Sequence, residues 1–438
     1  MLEYLHMAKN KSLGTDPYKG VRDFYPEEQF IQNYIFQTWQ KVVRSFGYEE
    51  YNASPLEPSE LYEAKSGEEI VNEQTYIFED RGGRSVALRP EMTPTVARMV
   101  AAKERELPFP LRWFSIPNVF RYEKPQRGRL REHYQLNVDL FGADSVEADT
   151  EIITVAYQIL KEFGAKDSDF VIKINNRKII RALFEKLSIS PKESEKLSKV
   201  IDKKEKISAE IFEESVEKLI GDRKKELLQN LESNQKLIKT LGEKDPEVSK
   251  LIDLIEALDT LGIKNVQFTS TLMRGFDYYT GIVFEIFDNS EENNRSLFGG
   301  GRYDDLLEIF GKRKIPTIGF GMGDVTLRDF LETHNLLPKF RASAKLHLCV
   351  EDESAREYAR ILAESLRETG INTSVDLSRK KKGEQFKIAD KKKIPFAICL
   401  GKKEIGSRSL IIRNLKTRED KEILESKVAQ FIFDSLKE

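Results

Sequence analysis

Cysteine and histidine are scarce in this chain, at two and four among 438 residues. Cys349 and Cys399 each sit inside an apolar, strand-like run, which argues against a disulfide framework and for buried free thiols. His6, His133, His334 and His347 are scattered, with no H-x-x-x-H pattern and no Cys/His cluster, so no protein zinc site is expected. Long apolar runs are missing as well. Nothing approaches the roughly 18 apolar residues of a membrane span, and the stretch from Met1 to Gly20 has no sustained apolar segment with small residues for cleavage, so no secretory signal is expected. Net charge is almost absent, at −2, and the whole-chain balance does not advertise a nucleic-acid binder. What is present is 39% hydrophobic and 33% charged residues over a length suggesting two or three domains. The expectation is a soluble, cytosolic protein.

Local charge is more telling than the average. From Asp376 to Arg418 there are 14 Lys/Arg against 4 Asp/Glu, which is what binding a phosphate backbone needs. A solvated basic surface has the same composition.

The stretch Leu272–Gly281 carries one arginine, Arg274, and a tyrosine pair, Tyr278 and Tyr279, between two strand-like runs, Val266–Leu272 and Ile282–Phe287. Gly275 and Gly281 bracket the turn. A guanidinium keeps its charge near neutral pH and matches carboxylate or phosphate oxygens, and the tyrosines offer a flat wall with hydroxyls at its edge. A strand pair with an ion-paired arginine would read the same way. Further back, Val119–Glu123, the basic loop Lys124–Arg129 and Tyr134–Phe141 form strand, cationic loop and returning strand. Gln135 and Asp139, four apart on one strand, share a face. Glu91 stands before a helix expected from Thr95 to Lys103, where an acid is favourable in any case. The run Gly299–Gly301 reads as a glycine turn into a helix reaching about Phe310, with Gly311 as its cap.

Arg274-Gly275-Phe276-Asp277-Tyr278-Tyr279-Thr280-Gly281, followed by Gly299-Gly300-Gly301-Arg302-Tyr303-Asp304-Asp305-Leu306, resembles the paired signature of histidyl-tRNA synthetases, a class II aminoacyl-tRNA synthetase family, over nearly the whole chain. The resemblance implies an α+β catalytic core over residues 1–338, built on an antiparallel sheet flanked by helices. It further implies a helical insertion at 177–262 and a C-terminal α/β anticodon-binding domain at 341–438, which holds the basic patch. The helix from about Glu27 to Phe46 and the segment Tyr48–Pro55 resemble class II motif 1 and imply a homodimer. The implied activity is ATP-dependent conversion of L-histidine to histidyl-adenylate and transfer to the 3′ end of tRNA(His). ATP, with its Mg²⁺, is the implied cofactor. The absence of a zinc cluster speaks against the related threonyl-tRNA synthetases.

By that resemblance Arg121 and Arg274 are the catalytic cations at the α-phosphate, and Glu123 stands near the adenine. Glu91, Thr93, Gln135, Asp139, Tyr278, Tyr279 and Tyr303 hold the histidine substrate, with Glu91 against its ammonium and Gln135 and Asp139 on its imidazole. Gln126, Arg127 and Arg129 approach the tRNA acceptor end. The chain departs from the pattern at motif 3, where Ile318–Gly323 is followed by Asp324-Val325-Thr326-Leu327, so Thr326 holds the usual arginine position. Arg328 lies two residues on, about 200° around a helix, and cannot simply replace it. That departure keeps a second reading open, a non-catalytic paralogue like the ATP phosphoribosyltransferase regulatory subunit. The C-terminal domain, which that paralogue generally lacks, speaks against it.

Overall fold

The structure, a computed structural model, describes residues 13–63, 74–204, 207–273, 278–293 and 295–436. The chain divides into two units, Met1–Pro338 and Lys339–Glu438. Arg274 and Asp277 of the tyrosine-pair stretch lie outside the described residues.

The first unit is built on a nine-stranded sheet. Its path runs through Glu49–Glu50, Leu111–Ser115, Glu132–Phe141, Thr317–Gly323, Ser296–Arg302, Ile282–Asp288, Phe170–Asn176 and Val266–Phe268, with Asn118–Phe120 paired onto Glu132–Phe141. The inner pairs are antiparallel, as expected, whereas the outermost pair at each edge is parallel. Both edge connections pass through helices, the long route that a parallel pair needs.

Alternation assigns the two faces of the sheet. Leu136, Val138 and Leu140 point to one side with Ile318, Phe320 and Met322, all buried. There they meet the helices Pro26–Ser45 and Val146–Glu162, whose Trp39, Val43, Ile152, Val155 and Ile159 share one core with them. Gln135, Asn137 and Asp139 point to the other side. The register sets them against Gly323, Gly321 and Gly319, so that face is bare where the partner strand passes.

The glycine run behaves differently from the sequence expectation. Gly299–Gly301 lie inside the strand Ser296–Arg302, and the helix expected after them is a 3-10 turn, Leu306–Phe310, closed by Gly311 in the left-handed region. The contribution of Gly299–Gly301 is a strand without side chains: a Cβ on Gly301 would stand 2.9 Å from the Tyr279 ring and 2.5 Å from Ile282 O.

Among the described residues between 177 and 262 there are six α-helices, from Arg177–Lys186 to Pro246–Thr260, and a 3-10 turn at Gly221–Arg223. Leu183, Phe184, Leu227, Leu231 and Leu237 are buried in the same core as Phe170 and Ile172 of the sheet. The amphipathic leucines therefore bind this segment to the sheet. Ser190, Ser208, Ser233 and Asp245 cap helices within it.

The second unit holds a five-stranded mixed sheet in the order Thr373–Val375, Leu346–Val350, Phe396–Leu400, Ser409–Asn414, Asp420–Leu424, parallel over the first three and antiparallel after. The helix Arg356–Glu368 packs Leu362 and Leu366 on it. Cys349 and Cys399 are opposite one another in register and free, with burial pushing the thiols up to about 12 and about 11. Arg379, Lys380, Lys381, Lys382 and Lys387 of the basic stretch are exposed. Among the described residues no helix is long and apolar enough to cross a membrane.

Candidate active site

The bare face of the large sheet carries a cavity of about 400 Å³, counting its open mouth. It gathers Glu91, Thr93, Arg121, Gln135, Asp139, Tyr278, Tyr279 and Tyr303, residues that sequence reasoning placed in one site from four separate stretches. Asn137 and the floor of Gly299, Gly319 and Gly321 join them. The alternation Gly319-Phe320-Gly321-Met322-Gly323 was the available signal for that floor: period two in a strand puts glycine on one face and core on the other. Asn137, midway between Gln135 and Asp139, was available from the same alternation.

Several of these polar groups have a definite anchor. Glu91 is buried, and Tyr278 Oη donates to its Oε2 at 3.1 Å. Arg121 Nε donates to Pro90 O at 2.9 Å, which leaves the forked end of the guanidinium toward the cavity. Asp139 Oδ1 accepts from Tyr303 Oη, and burial pushes its carboxyl up to about 7 against the pull of neighbouring hydroxyls. Tyr278 and Tyr303 are raised well above the ordinary phenol value, chiefly by burial, so both remain donors. The three tyrosine rings pack on one another, 4.9 Å between the centroids of Tyr278 and Tyr279 and 5.8 Å between Tyr278 and Tyr303. One acid and one cation thus lie with a second acid in a cavity walled by aromatic rings, suited to a small zwitterion with a planar polar ring.

The remaining expected residues stand elsewhere. Glu123 is outside the cavity lining, with its carboxylate 3.9 Å from Arg129 Nη1. Arg127 grips Asp329 on the helix Asp324–Thr333 at 2.8 Å, and Arg295 donates to the Arg127 carbonyl at 2.9 Å. The basic loop is therefore tied down onto the helix that follows motif 3. Asp329→Ala is expected to raise proteolytic cleavage within Lys124–Arg131 several-fold while the melting temperature changes little, because an exposed ion pair contributes little to stability. An unchanged cleavage rate would show that the pair does not restrain the loop.

At motif 3 the structure explains what Asp324 and Thr326 do. Asp324 is fully buried and accepts from Arg22 Nη2 at 2.7 Å, Gln32 Nε2 at 3.0 Å and Tyr134 N at 3.0 Å. Thr326 Oγ1 turns back to Leu297 O at 2.8 Å. Arg328 pairs with Glu332 along its own helix at 2.9 Å, in keeping with its angular position. Arg22 and Arg121 both act on His133, whose imidazole burial and those cations push down to about 3. His133 precedes Gln135 on the same strand face. Arg22 lies in Gly20-Val21-Arg22-Asp23, which resembles the family's entry segment but carries no mark of its partner, and His133 had no recognisable local signal.

A family model of histidyl-tRNA synthetases matches residues 20–325 and a model of an anticodon binding domain matches 344–434. The chain belongs to the histidyl-tRNA synthetase family. Its relatives include the histidine–tRNA ligase of Leptospira biflexa, 43% identical with 98% of this chain and 99% of that one covered, and that of Haloarcula marismortui, 36% identical with 92% and 94% covered. Among solved structures, the histidyl-tRNA synthetase of a Nostoc species superposes with a TM-score of 0.83 at 23% identity, covering 97% and 100% of the two chains. A Bacillus halodurans protein described as an ATP phosphoribosyltransferase regulatory subunit/histidyl-tRNA synthetase superposes at 0.74 with 25% identity, covering 87% and 97%. The cavity thus sits in a chain whose family match runs through motifs 1 and 2 and into the motif 3 segment.

Proposed function

We propose that this protein is a histidine–tRNA ligase that joins L-histidine to ATP as histidyl-adenylate and passes the histidyl group to the 3′ end of tRNA(His). The observation that carries the assignment of the cavity is that two buried acids, Glu91 and Asp139, line it together with Arg121 and three tyrosines. Glu91 meets the substrate ammonium, assisted by Thr93. Asp139 and Gln135 take the imidazole, against the wall of Tyr278, Tyr279 and Tyr303. A ring nitrogen that donates to Asp139 selects histidine over apolar rings of similar size, because those would leave the buried carboxylate unpartnered.

The substrate carboxylate attacks the α-phosphorus, the bond to the β-phosphate oxygen breaks, and pyrophosphate departs. A terminal ribose hydroxyl of the tRNA then attacks the carbonyl carbon and AMP leaves. No protein nucleophile is needed. Alignment and fixed positive charge supply the catalysis. Arg121 is one such charge, and Arg274 is proposed as the second, on the same α-phosphate and the substrate carboxylate. Among the described residues no three His, Cys, Asp or Glu side chains gather as a metal cage. Mg²⁺ is proposed to come with ATP, held on its phosphate oxygens, and no step is assigned to it.

Glu123 is proposed near the adenine once ATP is bound, and Gln126, Arg127 and Arg129 at the acceptor end, where arginines would hold phosphates and the amide could read a base edge. The core at 1–338, its insertion at 177–262 and the domain at 341–438 are proposed as catalytic, acceptor-stem and anticodon-binding parts. A cytoplasmic homodimer is also proposed, supported by the apolar surface of the small sheet Leu56–Pro58, Tyr76–Glu79 and Ser85–Leu88, where Leu56, Ile77 and Phe78 are each 46% exposed. The regulatory-subunit reading is not favoured, given the full-length ligase relatives and the anticodon-domain match.

Pyrophosphate exchange across a panel of amino acids tests the assignment. Exchange with histidine alone is expected, abolished by chelating the divalent cation. Exchange with another amino acid, or with none, would overturn it.

A further inference from the structure

Beside the cavity, where Asp139 meets the neighbouring strand Leu111–Ser115, three polar atoms are sealed from solvent. The register places Trp113 opposite Asp139 and Ser115 opposite Asn137. Tyr51 N donates to Phe114 O at 2.9 Å, which carries Tyr51 alongside that strand with its ring 5.5 Å from Trp113. Asp139 Oδ2, Tyr51 Oη and Ser115 Oγ are all buried, and none is within ordinary hydrogen-bonding geometry of another group. The Tyr51 hydroxyl nevertheless adjoins both Ser115 and Asp139. Buried polar groups of this kind need partners, and the Tyr51 hydroxyl is the donor that lies next to the other two. On the cavity side, the other carboxylate oxygen is taken by Tyr303 and lies over Gly319.

We propose that Tyr51 is a positioning residue for histidine selection: its hydroxyl donates to Asp139 Oδ2, so that the carboxylate stays turned and ionised with Oδ1 toward the substrate ring. The proposal rests on the histidine reading of the cavity. The titratable groups acting on Asp139 are Tyr303 and Tyr51, and the Asp139 charge acts in turn on Tyr48, whose hydroxyl donates to Glu151. Burial drives the Asp139 carboxyl up, and Tyr303 and Tyr51 are the groups that draw it down. Removing the Tyr51 donor must then raise it further, because the charged form loses a hydrogen bond while the desolvation remains. Tyr51 stands 88 positions before Asp139, and nothing in its neighbourhood in the sequence marks it for this part.

The test is histidine-dependent pyrophosphate exchange by the full chain and by Tyr51→Phe across pH 5.5–9. The expected result is a KM for histidine raised about tenfold near pH 7, the effect of one hydrogen bond to a charged group, with kcat within about twofold and KM for ATP unchanged. The acid limb of kcat/KM for histidine should move upward by about one pH unit. Comparison with the parent cancels the titration of the substrate's own imidazole. Ser115→Ala should move the same limb in the same direction by less. A Tyr51→Phe protein with the parental KM and pH profile overturns the proposal. So does one that loses kcat and stability with an unmoved profile, which is a packing role alone. Should that variant fail to fold, an unmoved profile in Ser115→Ala overturns it. A parent without histidine-dependent exchange sinks the reading of the cavity, and this proposal with it.

Discussion

Arg121→Ala is expected to lower histidine-dependent pyrophosphate exchange by about 10²–10³-fold, the usual loss when one preorganised group stabilising transition-state charge is removed, while the melting temperature stays close to that of the parent. The asymmetry follows from the side chain's surroundings. Its described anchor is a single neutral hydrogen bond, from Nε to Pro90 O, so little folding energy depends on it, and its forked end faces the cavity where phosphate charge would build up. Lysine keeps the charge but cannot present two parallel donors, so Arg121→Lys should recover only part of the rate. Arg274→Ala is expected to behave alike if both guanidinium groups act on one phosphorus. Normal exchange in Arg121→Ala would remove this side chain from the chemistry.

Arg302→Ala should act on the fold instead, destabilising the protein by about 3–5 kcal/mol, the range for breaking a buried ion pair from one side. Arg302 is buried, its Nε 2.7 Å from Asp149 Oδ1, and its outer nitrogens donate to Ala143 O and Ser145 O, both at 3.1 Å. Losing it strands Asp149, which is itself buried. Burial already pushes the Asp149 carboxyl up to about 7, with Arg302 pulling it down. A carboxyl raised above its unfolded value of about 4 holds its proton more tightly in the folded state. Its contribution to stability is therefore full below about pH 4 and is lost as pH rises through the folded value. Without Arg302 that value rises further, so denaturation at pH 8 should show a larger deficit against the parent than at pH 5.5. An equal deficit at both would mean that packing of the arginine stem outweighs the charge.

The arginine of the Gly-Gly-Gly-Arg-Tyr-Asp run is thus a framework residue, while the tyrosine beside it faces the cavity, as strand alternation requires. That alternation also accounts for most of what could be read in advance. Gln135 and Asp139 share a cavity because they share a strand face. The helix Pro26–Ser45 follows from its apolar spacing, and the hairpin of Tyr76–Glu79 and Ser85–Leu88 from Gly83 in the left-handed region. The glycine run was misjudged because three glycines have the same composition whether they open a helix or strip a strand. Only pairing on both sides, with Ile282–Asp288 and Thr317–Gly323, distinguishes the two.

By itself the sequence determined the family and pointed to eight of the side chains that line the cavity, Glu91, Thr93, Arg121, Gln135, Asp139, Tyr278, Tyr279 and Tyr303, because periodicity and short motifs are local properties of a chain. The tertiary structure alone decided that Arg22 holds Asp324 across 302 positions, that Arg127 is tied to Asp329, and that Tyr51 and Ser115 stand beside Asp139. Those contacts depend on strand register and on which distant segments share a layer. A polar side chain carries no local mark of the partner that packing will bring to it.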